Sequence, residues 1–181
     1  MRLAGSSHIP FKNTTVESIH AFAIWLKSTD LSWLVTHYGW VWATCEALHF
    51  IGMSLLFGCV GALDVRMLGW WKAPPVAGVN SLVRWGVLGF LINLVTGVVF
   101  FIGEPLQYVD NSAFLFKMLF LVLAGWNVLM FYVTGVADRI ESLEPDDDTP
   151  LSAKVFAGTS LFLWIGVIFF GRMLPFLGNS F

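Results

Sequence analysis

The run Cys45-Glu46-Ala47-Leu48-His49-Phe50-Ile51-Gly52-Met53 holds the densest chemistry in this chain. Cys45, His49 and Met53 recur every four residues, which puts a thiol, an imidazole and a thioether on one face of a helix. Soft sulfur beside imidazole suits copper(I). A single imidazole with glycines nearby suits an axial position on haem b iron. Glu46 stands three residues before His49 and is within side-chain reach of it. It can orient the imidazole as a supporting carboxylate, begin a proton relay, or bond His49 and neighbouring helices simply to lock the bundle.

One helix supplies too few ligands for a closed site, so a second must come from elsewhere. His20, His37, Met118 and Met130 are available, but no spacing selects among them. Asn93, Thr96 and Asn127, counted in from the predicted helix ends, fall near the level of His49. Asn93 and Asn127 are therefore candidate contacts to a cofactor held by His49. The competing reading makes them interhelical hydrogen-bonding glue, worth about 0.6 kcal/mol each. No His occurs in the last three apolar segments, which argues against a haem held between two histidines.

The elements that must position these groups follow from composition. Of 181 residues, 57% are hydrophobic and 12% charged, with 9 Trp and 17 Phe. Soluble domains carry about 25% charged residues, so this chain lacks the material for a solvated surface and would aggregate in water. The net charge of −2, without a basic stripe, excludes a nucleic-acid partner. No phosphate loop, dinucleotide fingerprint or zinc-type spacing is present, so no catalytic residue is assigned and no enzymatic activity of its own is expected.

Four apolar segments, residues 31–63, 85–103, 118–137 and 155–174, are each long enough or nearly so to cross a bilayer, which takes about 20 residues. The first would be about 50 Å long as one helix and should tilt, kink or protrude. The expected fold is all-α: a membrane-spanning four-helix bundle of residues 31–181. Residues 1–30 form an extension with an amphipathic interfacial helix, whose Val16, Ile19, Phe22, Ala23 and Leu26 recur at helical spacing. The N-terminus lacks the apolar core of a signal peptide.

Boundary chemistry supports these limits. Pro74-Pro75 fall in the first loop, Gly103 and Pro105 stop the second helix, and Asn111 or Ser112 caps the third. Thr149-Pro150 reads as a cap followed by Pro at the first helical position. Gly58, Gly61, Gly86, Gly89, Gly97, Gly158 and Gly166 are available for helix packing. Cys45 and Cys59 lie about 21 Å apart on one helix and cannot bridge. Half of the 12 acidic residues fall between Asp138 and Asp148, a solvated loop. Asp64 and Arg66 read as interfacial anchors. Lys117 and Arg172, near outer helix ends, read as snorkelling side chains, with Glu104 as a partner for Lys117. Arg66, Lys72 and Arg84 in the first loop, with Arg139 and Lys154 in the third, place these loops in the cytoplasm and both termini outside. Lys27, Arg172, Arg2 and Lys12 count for the outer side.

The runs EALHFIGMSLLFGCVGALDVRMLG, LINLVTGVVFF, SAFLFKMLFLVLAGWN and AGTSLFLWIGVIFFGR resemble a family of small four-span bacterial membrane proteins without an assigned function. That family is loosely similar to copper-resistance D-type membrane proteins, which also carry a His on an early span before small residues. The resemblance covers about residues 30–175. It implies the bacterial inner membrane and the four-span fold more firmly than any chemistry. In that family a His often follows Asn-x-x-x-Phe of the third helix. Here Tyr132 occupies the position, which puts a two-His site in doubt.

The sequence thus points to an accessory membrane subunit of a redox or metal-handling system, binding haem b or copper through His49. Its partners are the lipid bilayer and other membrane subunits or further copies of itself. The alternatives are a non-catalytic anchor of a larger complex and a small proton or ion transporter using Glu46.

Overall fold

In the computed structural model, residues 14–144 and 146–177 are described. The readings on Arg2, Lys12 and the first thirteen residues lie outside that range. Nine helices follow in order among the described residues. These are α1 (Thr14–Lys27), α2 (Asp30–His37), α3 (Gly39–Leu68), α4 (Val76–Asn80) and α5 (Val83–Gly103), then α6 (Pro105–Val109), α7 (Ser112–Val133), α8 (Val136–Glu141) and α9 (Leu151–Leu177). Helices α3, α5, α7 and α9 are long and apolar enough to cross a membrane, α4 leading into the second span. The chain is a four-span integral membrane protein, and its spans imply contact with lipid.

The spans pack as two hairpins, α3 with α5 and α7 with α9, joined through α3 and α9. Glycine sets the first contact. A Cβ at Gly89 would lie 2.6 Å from the Gly52 carbonyl and 2.7 Å from the Leu56 amide, so two backbones touch where side chains would hold them apart. In the second hairpin, a Cβ at Gly166 would clash with the edge of the Phe120 ring. Gly58, Gly61, Gly97 and Gly158, also expected in the packing, have nothing within 4 Å of that position. Gly52 and Gly103 take their place. A residue's type does not reveal which way it faces.

The first predicted segment breaks as its length requires. Tyr38 is extended, at φ −95° and ψ 98°, and separates α2 from α3. The span therefore begins at Gly39 and continues past Leu63 to Leu68. The third span starts earlier than predicted and stops at Val133, because Gly135 takes a left-handed φ of 67°. Asn111 does cap α7, accepting from the Ala113 amide at 2.9 Å, and its Nδ2 donates to the Leu174 carbonyl at 2.8 Å. The fourth helix begins at Leu151, not Pro150, and the buried Thr149 hydroxyl has no partner.

The two ends differ. At the first, which we call the capped end, α1 packs on α6 and α2 on α5. Lys27 Nζ donates to Glu104 at 2.7 Å and to the Gly103 carbonyl at 2.8 Å. His20 pairs with Asp110 at 2.9 Å. Glu104 is thus paired with Lys27, not Lys117, because α1 folds back over the short turn. Of the predicted apolar face of α1, Ala23 is fully buried, while Val16, Ile19 and Phe22 are exposed.

At the opposite end, the loop end, Leu63, Met67, Val76, Val79, Phe131, Val136, Ile140, Ala153 and Ala157 form the main buried cluster. Arg66 is fully buried there. Its Nε donates to the Pro74 carbonyl at 2.7 Å and Nη2 to the Glu144 carbonyl at 3.3 Å, so one side chain ties both loops to α3. Asp64 is 2% exposed and bonds Ser160 of α9. Neither reaches water as an anchor would, because the short helices and loops at this end cover them. Asp148 bonds Lys72 at 3.0 Å and Lys154 at 3.3 Å. Those two contacts, Lys72 first, hold its carboxyl below the usual carboxylate range.

Candidate functional site

His49 lies ten residues into α3, in the half of the bundle nearer the capped end. Its Nδ1 is 2.7 Å from Thr96 Oγ1 on α5. The Thr96 hydroxyl is also 2.8 Å from the Ile92 carbonyl of its own helix, and the contact with Thr96 leaves Nε2 as the ring nitrogen without a partner among the described residues. The Phe100 ring meets the imidazole edge-on at 5.5 Å, and Trp42 packs on Phe100 at 5.0 Å. The imidazole is held from one side by α5, with one nitrogen committed and the other available.

The antiparallel register explains this pairing. Gly103 meets Trp42, and Gly89 meets Gly52, so Thr96 falls opposite His49. Sequence depth counting found this partnership. The rest of the expected polar layer does not assemble. Asn93 is half-buried with its Oδ1 unpartnered. Asn127 donates to the Phe156 carbonyl at 3.2 Å, and Phe156 packs on the loop-end cluster that contains Leu63. His49 and Leu63 are about 21 Å apart along α3. Asn127 instead lines, with Trp126 and Met130, a cleft of about 260 Å³ between α7 and α9. The count failed because α7 ends four residues before Ala137 and α3 five residues after Leu63.

Glu46 is exposed and, among the described residues, makes no hydrogen bond to His49. Its charge acts instead on Tyr108 of α6. The Tyr108 phenol is pushed up to about 12 by burial first, then by the negative charges of Glu104 and Glu46. Cys45 and Met53 are partly buried on either side of His49, and Cys45 and Cys59 are free thiols. Cys45 and Met53 are eight residues apart, about 12 Å along the axis, so one ion cannot take both sulfurs. Among the described residues no group of three or more His, Cys, Asp or Glu side chains could hold a metal. His20 is engaged with Asp110, His37 stacks on Trp33 at 4.3 Å, and Met130 lines the distant cleft.

Lys117 lies near the capped end of α7, six residues from its start, and is partly buried, with Nζ 3.6 Å from where a Cβ of Gly171 on α9 would stand. It lies within electrostatic range of His49. Nothing in the sequence around Gly171 marks it as a seat for this side chain. The pairing depends on how α7 and α9 meet.

Comparison with protein-family models, curated proteins and solved structures returns no match for this chain. The fold and site define a four-span membrane protein with one oriented histidine in its capped half.

Proposed function

We propose that the protein is a membrane subunit of a redox system and that His49 is an axial ligand to haem b. The observation that supports this is the hydrogen bond between His49 Nδ1 and Thr96 Oγ1 at 2.7 Å. A ligating imidazole usually donates its other nitrogen to a fixed acceptor, which sets the tautomer and the ring plane. Copper, the other metal the residue types suit, is less well served. Copper(I) seeks two or three soft donors, whereas the helix spacing leaves His49 with one sulfur at most. Haem iron accepts a single protein imidazole. On this reading α1 and α2, with Trp25 and Trp33 exposed, lie in the outer interface, the loop end faces the bacterial cytoplasm, and other subunits supply the electron partners.

The test is haemin titration into the detergent-purified chain. We expect a sharpened Soret band in the wild type and its loss in His49→Ala. Wild-type protein that gives no band, or a band unchanged in His49→Ala, overturns the reading. Bound copper in place of haem on metal analysis would favour the sulfur-assisted site.

A further inference from the structure

The cleft between α7 and α9 holds two polar groups that the protein leaves without partners. Asn127 Nδ2 donates to the Phe156 carbonyl at 3.2 Å. A carbonyl only accepts, so the amide is fixed with its nitrogen toward α9, and among the described residues its Oδ1 has no partner. Thr159 follows Phe156 by three residues, one turn along the same face of α9. It is exposed, lines the same cleft, and its hydroxyl makes no hydrogen bond among the described residues. The remaining lining is apolar, with Trp126 59% exposed at its rim and Leu163 buried.

Depth makes these two groups consequential. α7 has 22 residues, about 33 Å of helix, close to the ~30 Å hydrocarbon core of a bilayer. Asn127 lies six residues before Val133 at the end of α7, and Phe156 five after Leu151 at the start of α9. The cleft is therefore about 8–9 Å in from the helix ends. No water reaches an amide oxygen or a hydroxyl at that depth. An acyl chain in the cleft offers neither donor nor acceptor, and the ester and phosphate groups of a phospholipid stay in the interface. The fitting occupant is a lipid-soluble molecule that carries oxygen on an otherwise apolar body. At about 260 Å³, the cleft falls below the roughly 300–1,000 Å³ of sites for drug-sized ligands, so it takes a single ring.

We propose that this cleft binds the head ring of a membrane quinone, whose tail lies in the bilayer. A carbonyl of the oxidised ring accepts from the Thr159 hydroxyl, and a hydroxyl of the reduced ring donates to Asn127 Oδ1. Trp126 and Phe156 supply aromatic contact. The proposal uses no residue of the His49 site, so it stands or falls separately from the haem reading.

The experiment titrates decylubiquinone, without haemin, into the full chain in detergent and follows quenching of Trp fluorescence. Decylbenzene, which keeps the ring and tail without the oxygens, is the competitor. We expect a saturable component in wild type that is absent from Trp126→Phe. Thr159→Val should bind the quinone roughly three- to tenfold more weakly, as loss of one hydrogen bond implies, and Thr159→Ser should restore the affinity. Equal affinity in wild type and Thr159→Val overturns the proposal. Quenching that never saturates, or that is unchanged in Trp126→Phe, also overturns it, since the quinone is then in the micelle or elsewhere on the protein. Decylbenzene that displaces the quinone at equal concentration does the same, because the cleft is then a slot for any apolar chain. Equal unfolding temperatures for wild type and Thr159→Val show that the variant is folded.

Discussion

At the scale of single residues, the protein uses its polar groups in pairs that close contacts between helices. His49 and Thr96 join α3 to α5, Asp64 and Ser160 join α3 to α9, and Asn111 and the Leu174 carbonyl join α7 to α9. In hydrocarbon a polar group has no water to fall back on, which favours such contacts, although Asn93 Oδ1 and Asp64 Oδ2 have no partner. Tyr108 shows the electrostatic side of burial. Loss of solvent and then the Glu104 and Glu46 charges raise its phenol to about 12, whereas an unfolded tyrosine ionises near 10. The unfolded chain therefore releases this proton first as pH rises. The stability that Tyr108 contributes is complete below about pH 10 and is lost as pH climbs toward 12. We expect detergent-solubilised wild type to lose stability across that window more steeply than Tyr108→Phe. Identical unfolding curves for the two between about pH 10 and 12 would count against this account.

At the scale of elements, backbone proximity decides what pairs. The α3–α5 crossing brings the Gly89 position to 2.6 Å from the Gly52 carbonyl, and a backbone atom cannot swing aside as a side chain can. Any side chain at Gly89 separates the helices and stretches the His49–Thr96 bond with them. We expect Gly89→Val to destabilise by roughly 1–3 kcal/mol, as overpacking of a close contact does, and to weaken haemin binding. Gly97→Ala, at a position with open space around it, should leave both unchanged. A Gly89→Val protein with wild-type unfolding temperature would show that the crossing is not this close in the membrane.

At the scale of the whole molecule, the two ends have opposite constructions. The capped end is a lid of short helices held by exposed or half-exposed ion pairs, Lys27 with Glu104 and His20 with Asp110. The loop end is a packed core, with Arg66 buried at its centre and bonded to the carbonyls of Pro74 and Glu144. α3 is 30 residues long, about 45 Å, which matches a bilayer with its headgroups. Trp40 and Trp70, 70% and 77% exposed, stand at its two ends where interfacial Trp belongs. We expect Arg66→Met to cost roughly 1–3 kcal/mol, since it removes both hydrogen bonds that tie the loops at Pro74 and Glu144 to α3. It should also open the loop between α8 and α9 to limited proteolysis. A loop that stays as resistant as in the wild type would mean that the Asp148 contacts with Lys72 and Lys154 hold it instead.

What the amino-acid sequence determined by itself is the class of molecule and the elements that build it. Hydropathy placed four spans because a bilayer demands long apolar helices whatever surrounds them. Local chemistry placed Asn111 as a cap, since a cap depends on a few adjacent residues, and length alone required the first segment to break or bend. The pairing of His49 with Thr96 was half legible, through depth along two adjacent helices. Only the tertiary structure decided which polar groups meet. Asn127 went to the loop end, Glu46 to the vicinity of Tyr108, Arg66 into the core, and Lys117 onto Gly171 near His49. Each of these depends on the rotation and register of one helix against another. Those are set by backbone contacts at Gly52, Gly89 and Gly166, and a glycine in a sequence does not say what it touches.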